Sequence, residues 1–156
     1  TPYMFKTSAE NFLNNSELSR EVFGPSTLSV VAQNRMELFT LASCLEGHLT
    51  ATLHGTEKDL MEYADLVAIL ERKVGRLIFN GYPTGVEVCD SMVHGGPFPA
   101  TTDARTTSVG TAAIRRFSRP VCYQDFPQTA LPEELKDHNP SDIWRMINGT
   151  FSKESI

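Results

Sequence analysis

The sequence is sparing with cysteine: three residues in 156, Cys44, Cys89 and Cys122, widely spaced and odd in number. That fits free thiols in a reducing compartment better than a disulfide framework, so a cytoplasmic location is expected. Long hydrophobic runs are missing too. No apolar stretch approaches the roughly 20 residues of a spanning helix, and no membrane partner is expected. Basic charge is in deficit, with 14 Lys and Arg against 19 Asp and Glu and a formal net charge of −5. That balance is unsuited to nucleic acid or to an anionic membrane surface. The four histidines, His48, His54, His94 and His138, show no ligand spacing with carboxylates or thiols, so no metal is assigned. The glycines form neither a Walker loop nor G-x-G-x-x-G, and no motif supports Ser/His/Asp catalysis.

What is present is enough chain for one ordinary domain with a real core. From Tyr3 to Leu13 an extended segment, with Met4, Phe12 and Leu13 as candidate buried residues, leads towards a short helical turn near Ser16. Leu28 to Ala32 is short and rich in β-branched residues, which predicts a strand. Asn34 then suits an N-cap for a helix striped by Met36, Phe39, Leu41, Ala42 and Leu45 and ended at Gly47. Leu49 to Leu53 alternates and predicts a second strand. Thr56 caps a long helix, Glu57 to Lys73, with Leu60, Tyr63, Ala64, Val67 and Leu70 on its buried side; Gly75 stops it and Arg76 to Asn80 makes a third strand. This alternation predicts an α/β layer with parallel strands, in which ligands gather at the carboxyl ends. The connection from Gly81 to Pro99 is long enough to suggest a functional loop. Further on, Ser108 suits the cap of a short helix to Phe117, Arg119 to Gln124 reads as a strand, and Asp142 to Ile147 reads as a closing amphipathic helix capped by Ser141.

The stretch Glu21-Val22-Phe23-Gly24-Pro25 admits two readings. In the plain one a helix from Ser16 to Val22 stops at Gly-Pro, Glu21 is solvated and Phe23 fills core. In the other, the turn presents two side chains to a ligand. A carboxylate accepts paired hydrogen bonds from a ribose diol, an aromatic ring packs on a flat heterocycle, and Gly24 lets the backbone pass close by.

Glu-x-Phe-Gly-Pro resembles a signature of the aldehyde dehydrogenase superfamily, and the order of elements after it is similar, including Gly47-His48-Leu49-Thr50-Ala51 and a strand ending in Asn80. Gly95-Gly96-Pro97-Phe98-Pro99-Ala100-Thr101-Thr102-Asp103 and Arg116-Phe117-Ser118-Arg119-Pro120-Val121-Cys122-Tyr123-Gln124 depart from the usual family text and resemble the branch that oxidises 2-oxoglutarate semialdehyde. The resemblance implies a fold: a parallel-sheet α/β fragment of the catalytic and cofactor region over residues 1–108, then an oligomerisation strand and tail helix over 109–156. It implies NAD or NADP as cofactor, with Glu21 on the nicotinamide ribose and Phe23 on the nicotinamide side. Phe98 becomes a candidate for the wall of the aldehyde pocket, with a buried loop anchor as its alternative. Arg105, with Thr101 and Thr102, is weighed against a substrate carboxylate, a surface ion pair being the stronger reading.

In the family a cysteine thiolate attacks the aldehyde, hydride passes to the cofactor and water releases the acid. The resemblance places that cysteine before the Glu21 motif. None of the three cysteines follows a turn into a helix N-terminus, the setting that activates a thiol, and all three are rejected. Cys44 reads as buried on its helix, Cys122 as part of a strand, and Cys89 as the exposed one. The chain opens at Thr1-Pro2-Tyr3 without an initiator Met, so a fragment, inactive by itself, is expected. Its expected partners are a small aldehyde, the rest of the same polypeptide and further copies in a homo-oligomer. The competing expectation is a non-enzymatic assembly module whose cofactor residues are vestigial.

Overall fold

The computed structural model describes residues Thr1–Ile156 as two compact units, Thr1–Ser118 and Arg119–Ile156. The architecture of the first is mixed α/β with small parallel sheets. Strand β1 (Tyr3–Ser8) is followed by helix α1 (Ala9–Asn14), whose N-cap Ser8 accepts from the Asn11 amide at 3.2 Å. Strand β2 (Ser26–Val31) returns parallel to β1, in register from Tyr3 opposite Ser26 to Ser8 opposite Val31. Asn34 caps helix α2 (Arg35–Cys44) as expected: its Oδ1 accepts from the Glu37 amide at 3.0 Å, while the Glu37 carboxylate accepts from the Gln33 amide at 2.7 Å. Strands β3 (His48–Leu53) and β4 (Val74–Phe79) form a second parallel pair.

The single sheet expected from the strand–helix alternation is instead two separate two-stranded pairs. The partner of β2 is β1, in the segment read only as extended. Met4 within β1 and Leu13 after it are exposed, as is Met36 on α2, so none of the three is core. The long helix between β3 and β4 is also divided, into α3 (Glu57–Glu62) and α4 (Ala64–Glu71). Thr56 caps α3 with a full capping box to Asp59. The break at Tyr63 is held from outside the helix. Arg35 donates from Nη2 to the Glu62 carbonyl at 2.8 Å, and its guanidinium lies 5.1 Å from the Phe39 ring centroid and 4.9 Å from that of Tyr63. The break moves the buried face of the second half to Leu66 and Leu70, which with Ala42 centre the core; Leu38, Phe39, Ala51, Leu53 and Leu77 pack round them.

Past Ser108 the chain forms a 3-10 turn over Thr111–Phe117 entered from Gly110, so Ser108 is not its cap. In the second unit, residues 119–124 form no strand: extended backbone needs a partner ladder, and none pairs with it there. The expected tail helix is likewise absent. Arg145–Ile147 is strand β5, and it pairs antiparallel with β6 (Thr150–Ser152) across Asn148-Gly149. Asn148 and Gly149 both have positive φ, 49° and 84°, the requirement of a two-residue hairpin turn. The Arg145 fork donates to the carbonyls of Lys136, Asp137 and Glu154 at 2.6, 3.1 and 3.0 Å. Buried Asn139 ties Ile143 to Lys153 by donating to both carbonyls, at 3.0 and 2.7 Å.

Candidate active-site cleft

The turn Glu21–Pro25 follows a single 3-10 turn, Ser16–Ser19, so the helix expected to run to Val22 ends earlier. Two hydrogen bonds fix the turn at the head of the first strand pair. The Tyr3 amide donates to the Pro25 carbonyl at 2.8 Å, and the Ser26 amide donates to the Gly24 carbonyl at 2.8 Å. Gly24 has φ of 146°, where a side chain is strained, yet a Cβ there would meet nothing within 4 Å. Glycine is required by backbone conformation, not by close passage.

The consequence is a turn that throws its side chains outward. Phe23 is 91 % exposed and is not core filler, and Glu21 beside it is exposed. The adjacent cation, Arg20, is committed to Glu17 at 3.0 Å, and Glu21 enters none of the four ion pairs. Its carboxylate is left open for a hydroxyl donor. Both residues stand at the amino end of β2, whereas the general rule for parallel sheets led us to expect ligands at carboxyl ends.

Glu21 lies on two adjoining open clefts. One, of ≈ 1270 Å³, runs beside Phe23 along Tyr3, Phe5 and Lys6 of β1. The other, of ≈ 960 Å³, brings Glu21 together with Glu46, His48, Pro99 and Ala100. Phe98 is 80 % exposed, so it is not a buried loop anchor. It lines a different hollow of ≈ 400 Å³ with Cys44, Arg72 and Lys73. The geometry thus joins Glu21 with Phe23 and sets Phe98 one residue beyond the cleft wall.

Close backbone packing places that wall. The loop after β4 returns across the amino ends of β3 and β4, where a Cβ on Gly47 would collide with the carbonyls of Pro97 and Phe98, and one on Gly75 with the carbonyl of Gly95. Gly75 therefore serves inside β4 as a site of close approach and does not stop a helix. The outbound half of the loop is held by Arg76, which donates to the carbonyls of Gly85 and Pro83 at 3.3 and 3.2 Å. Asn80, at φ 50°, closes the far end by exchanging two hydrogen bonds with Gly55, at 2.9 and 2.8 Å. The sequence signal for this anchoring was Arg76 itself, a charge at the head of the apolar run Leu77-Ile78-Phe79.

Arg105 pairs with Asp103 at 3.0 Å on the open surface, and these bonds hold the Asp103 carboxyl below its ordinary pKa range. The cysteines differ from expectation. Cys44 is exposed and donates to the Leu41 carbonyl at 3.1 Å, Cys89 is half-buried, and Cys122 is exposed outside any strand. None lies on a cleft with Glu21.

No family profile matches the chain. Over 153 residues, 97 % of its length, it is 49 % identical to an alpha-ketoglutaric semialdehyde dehydrogenase of Acinetobacter baylyi. Over 146 residues, 94 % of its length, it is 52 % identical to alpha-ketoglutaric semialdehyde dehydrogenase 2 of Azospirillum brasilense. These matches cover 29 % and 28 % of the two relatives, so the chain spans under a third of their length. At this level of identity, nearly the whole chain is similar to part of these two aldehyde dehydrogenases.

Proposed function

We propose that this chain is part of an NAD- or NADP-dependent aldehyde dehydrogenase that oxidises 2-oxoglutarate semialdehyde to 2-oxoglutarate, the nucleophilic cysteine lying elsewhere in a longer polypeptide. The observation that carries the reading is the pairing of an uncommitted carboxylate, Glu21, with a ring as exposed as Phe23 on one rigid turn beside a cleft. That pair of groups fits a nicotinamide ribose. The carboxylate accepts from the two ribose hydroxyls, and the ring supplies a flat apolar contact. When bound, the dinucleotide supplies the hydride acceptor. What this chain contributes is position: Glu21 orients the ribose, Phe23 covers one side of it, and the Pro99–Ala100 wall, with Phe98 next to it, limits the space for the aldehyde. Residues 1–108, together with the Thr111–Phe117 turn that shares their compact unit, would form the cofactor and pocket region, and the unit from Arg119 the part that joins copies in a homo-oligomer, in a reducing cytoplasm.

The test is single-turnover kinetics on the polypeptide that carries this chain. Glu21→Gln keeps the shape but weakens the charge-assisted bonds, so hydride transfer is expected to slow on the order of 10- to 100-fold while acylation of the thiol persists. Unchanged hydride transfer would remove Glu21 from the cofactor site. A panel of aldehydes with each cofactor then fixes the substrate and the choice between NAD and NADP.

A further inference from the structure

Leu49, Pro99 and Ala100 form a wall shared by the Glu21 cleft and a neighbouring hollow of ≈ 400 Å³. The hollow is polar in one sense only. Its lining includes His94, Thr101, Thr102, Ser108 and Arg116, and no carboxylate. Arg116 enters none of the four ion pairs, and its one protein hydrogen bond is a donation from Nη1 to Thr106 Oγ1 at 3.3 Å. The carboxylate nearby, Asp103, is taken by Arg105, which donates to it from Nε at 3.0 Å and from Nη2 at 3.4 Å. The guanidinium of Arg116 therefore bonds to no carboxylate; its charge acts on Asp103 only at a distance, helping to lower that carboxyl's pKa.

The backbone around His94, which also lines the hollow, is held by hydrogen bonds. The His94 amide donates to the buried Thr107 hydroxyl at 2.8 Å, and that hydroxyl donates on to the Val109 carbonyl at 2.7 Å. The His94 carbonyl accepts from both the amide and the hydroxyl of Ser108, each at 3.0 Å. His94 is thus pinned through its backbone on both sides, and its imidazole is free of that framework.

The geometry points to this hollow as a carboxylate subsite. Arg116, assisted by His94 and the Thr102 hydroxyl, receives the acid end of an oxo-acid aldehyde whose reacting end lies across the Pro99–Ala100 wall in the Glu21 cleft. The assignment rests on the dehydrogenase reading for its substrate; Arg105, weighed for the same role, makes the surface ion pair that was its stronger reading. A guanidinium fork matches a carboxylate in two parallel hydrogen bonds. A phosphate uses the same donors, so both anions belong in the test.

Calorimetric titration of 2-oxoglutarate, and separately of inorganic phosphate, into the polypeptide that carries this chain reads the subsite without any oxidation taking place. Arg116→Met is expected to weaken 2-oxoglutarate on the order of 10- to 100-fold, the loss of one charge-assisted contact. Arg116→Lys keeps the charge without the fork and should fall between the two, which covers the case of a Met variant that does not fold. Arg105→Met should bind 2-oxoglutarate as the unsubstituted protein does. Equal 2-oxoglutarate affinity with and without the Arg116 guanidinium overturns the subsite. So does a loss confined to phosphate, which would make it a phosphate site. Semialdehyde turnover on the same preparations judges the dehydrogenase reading separately: acid binding that depends on Arg116 in a protein without turnover refutes the activity and keeps the subsite.

Discussion

Arg20 and Glu21 are neighbours of opposite charge, and only one of them is used by the protein. Arg20 folds back on Glu17, three residues earlier, and Glu21 is left facing the cleft. Exposed ion pairs of this kind add little stability, so the arrangement matters more for what it leaves open than for what it holds. Asp59 shows the opposite use of a carboxylate. It accepts from the Thr56 amide and hydroxyl, both at 2.7 Å, and those bonds, the backbone one first, lower its pKa below the ordinary Asp value. A depressed folded-state pKa means that the stabilisation is complete above the unfolded value, about 3.9, and is lost as pH falls through the lower folded value. Urea midpoints for the protein and for Asp59→Asn should therefore differ by a constant amount from pH 5 to 7 and converge below about pH 4. A gap that persists undiminished at pH 2 would show that the capping carboxylate is not the titrating group.

At the scale of elements, the site depends on how a loop is laid across strand ends. Gly47 is buried beneath the Pro97 and Phe98 carbonyls, and those atoms are backbone that cannot turn aside. Gly47→Ala is expected to lower stability by about 1–3 kcal/mol, the usual cost of forcing a methyl group into a packed contact. A denaturation midpoint unchanged from the parent would contradict the packing. The same substitution should also shift Pro99 and Ala100, the wall common to the Glu21 cleft and the Arg116 hollow. The division of α3 from α4 belongs to this scale as well. Continuous periodicity from Leu60 to Leu70 reads as one helix, but Arg35 takes the Glu62 carbonyl and packs on Tyr63, and the ladder restarts there.

For the whole molecule, the clefts are one-sided. Tyr3, Phe5, Phe23 and Phe98 are all exposed, and the walls they form face outward. No helix is long and apolar enough to cross a membrane. None of the three cysteines reaches a cleft containing Glu21, although Cys44 shares a hollow with Phe98. The 156-residue chain by itself is accordingly expected to show no oxidation of 2-oxoglutarate semialdehyde with either cofactor, measured by reduced nicotinamide absorbance. Turnover abolished by Cys44→Ser in the isolated chain would place the nucleophile within it and reverse that expectation.

Local chemistry made several features readable from the letters. The caps at Asn34 and Thr56 follow from side-chain oxygens reaching amides three residues on, and β2, β3 and β4 follow from short β-branched or alternating runs. The turn at Glu21–Pro25 announced itself through Gly-Pro. The Asn148-Gly149 hairpin was equally written in the sequence and was obscured by a helix-like reading of Asp142 to Ile147, because apolar spacing over so few residues fits either period. Pairing belonged to tertiary structure, since β1 as the mate of β2 depends on residues 23 positions apart meeting in register. So did the direction of Phe23 and the lack of an ion pair at Arg116, whereas the surface ion pair read for Arg105 is borne out with Asp103, two residues before it. A side chain's partner is fixed by what the folded backbone brings within a few ångströms, and sequence spacing carries that information only inside a single turn or strand.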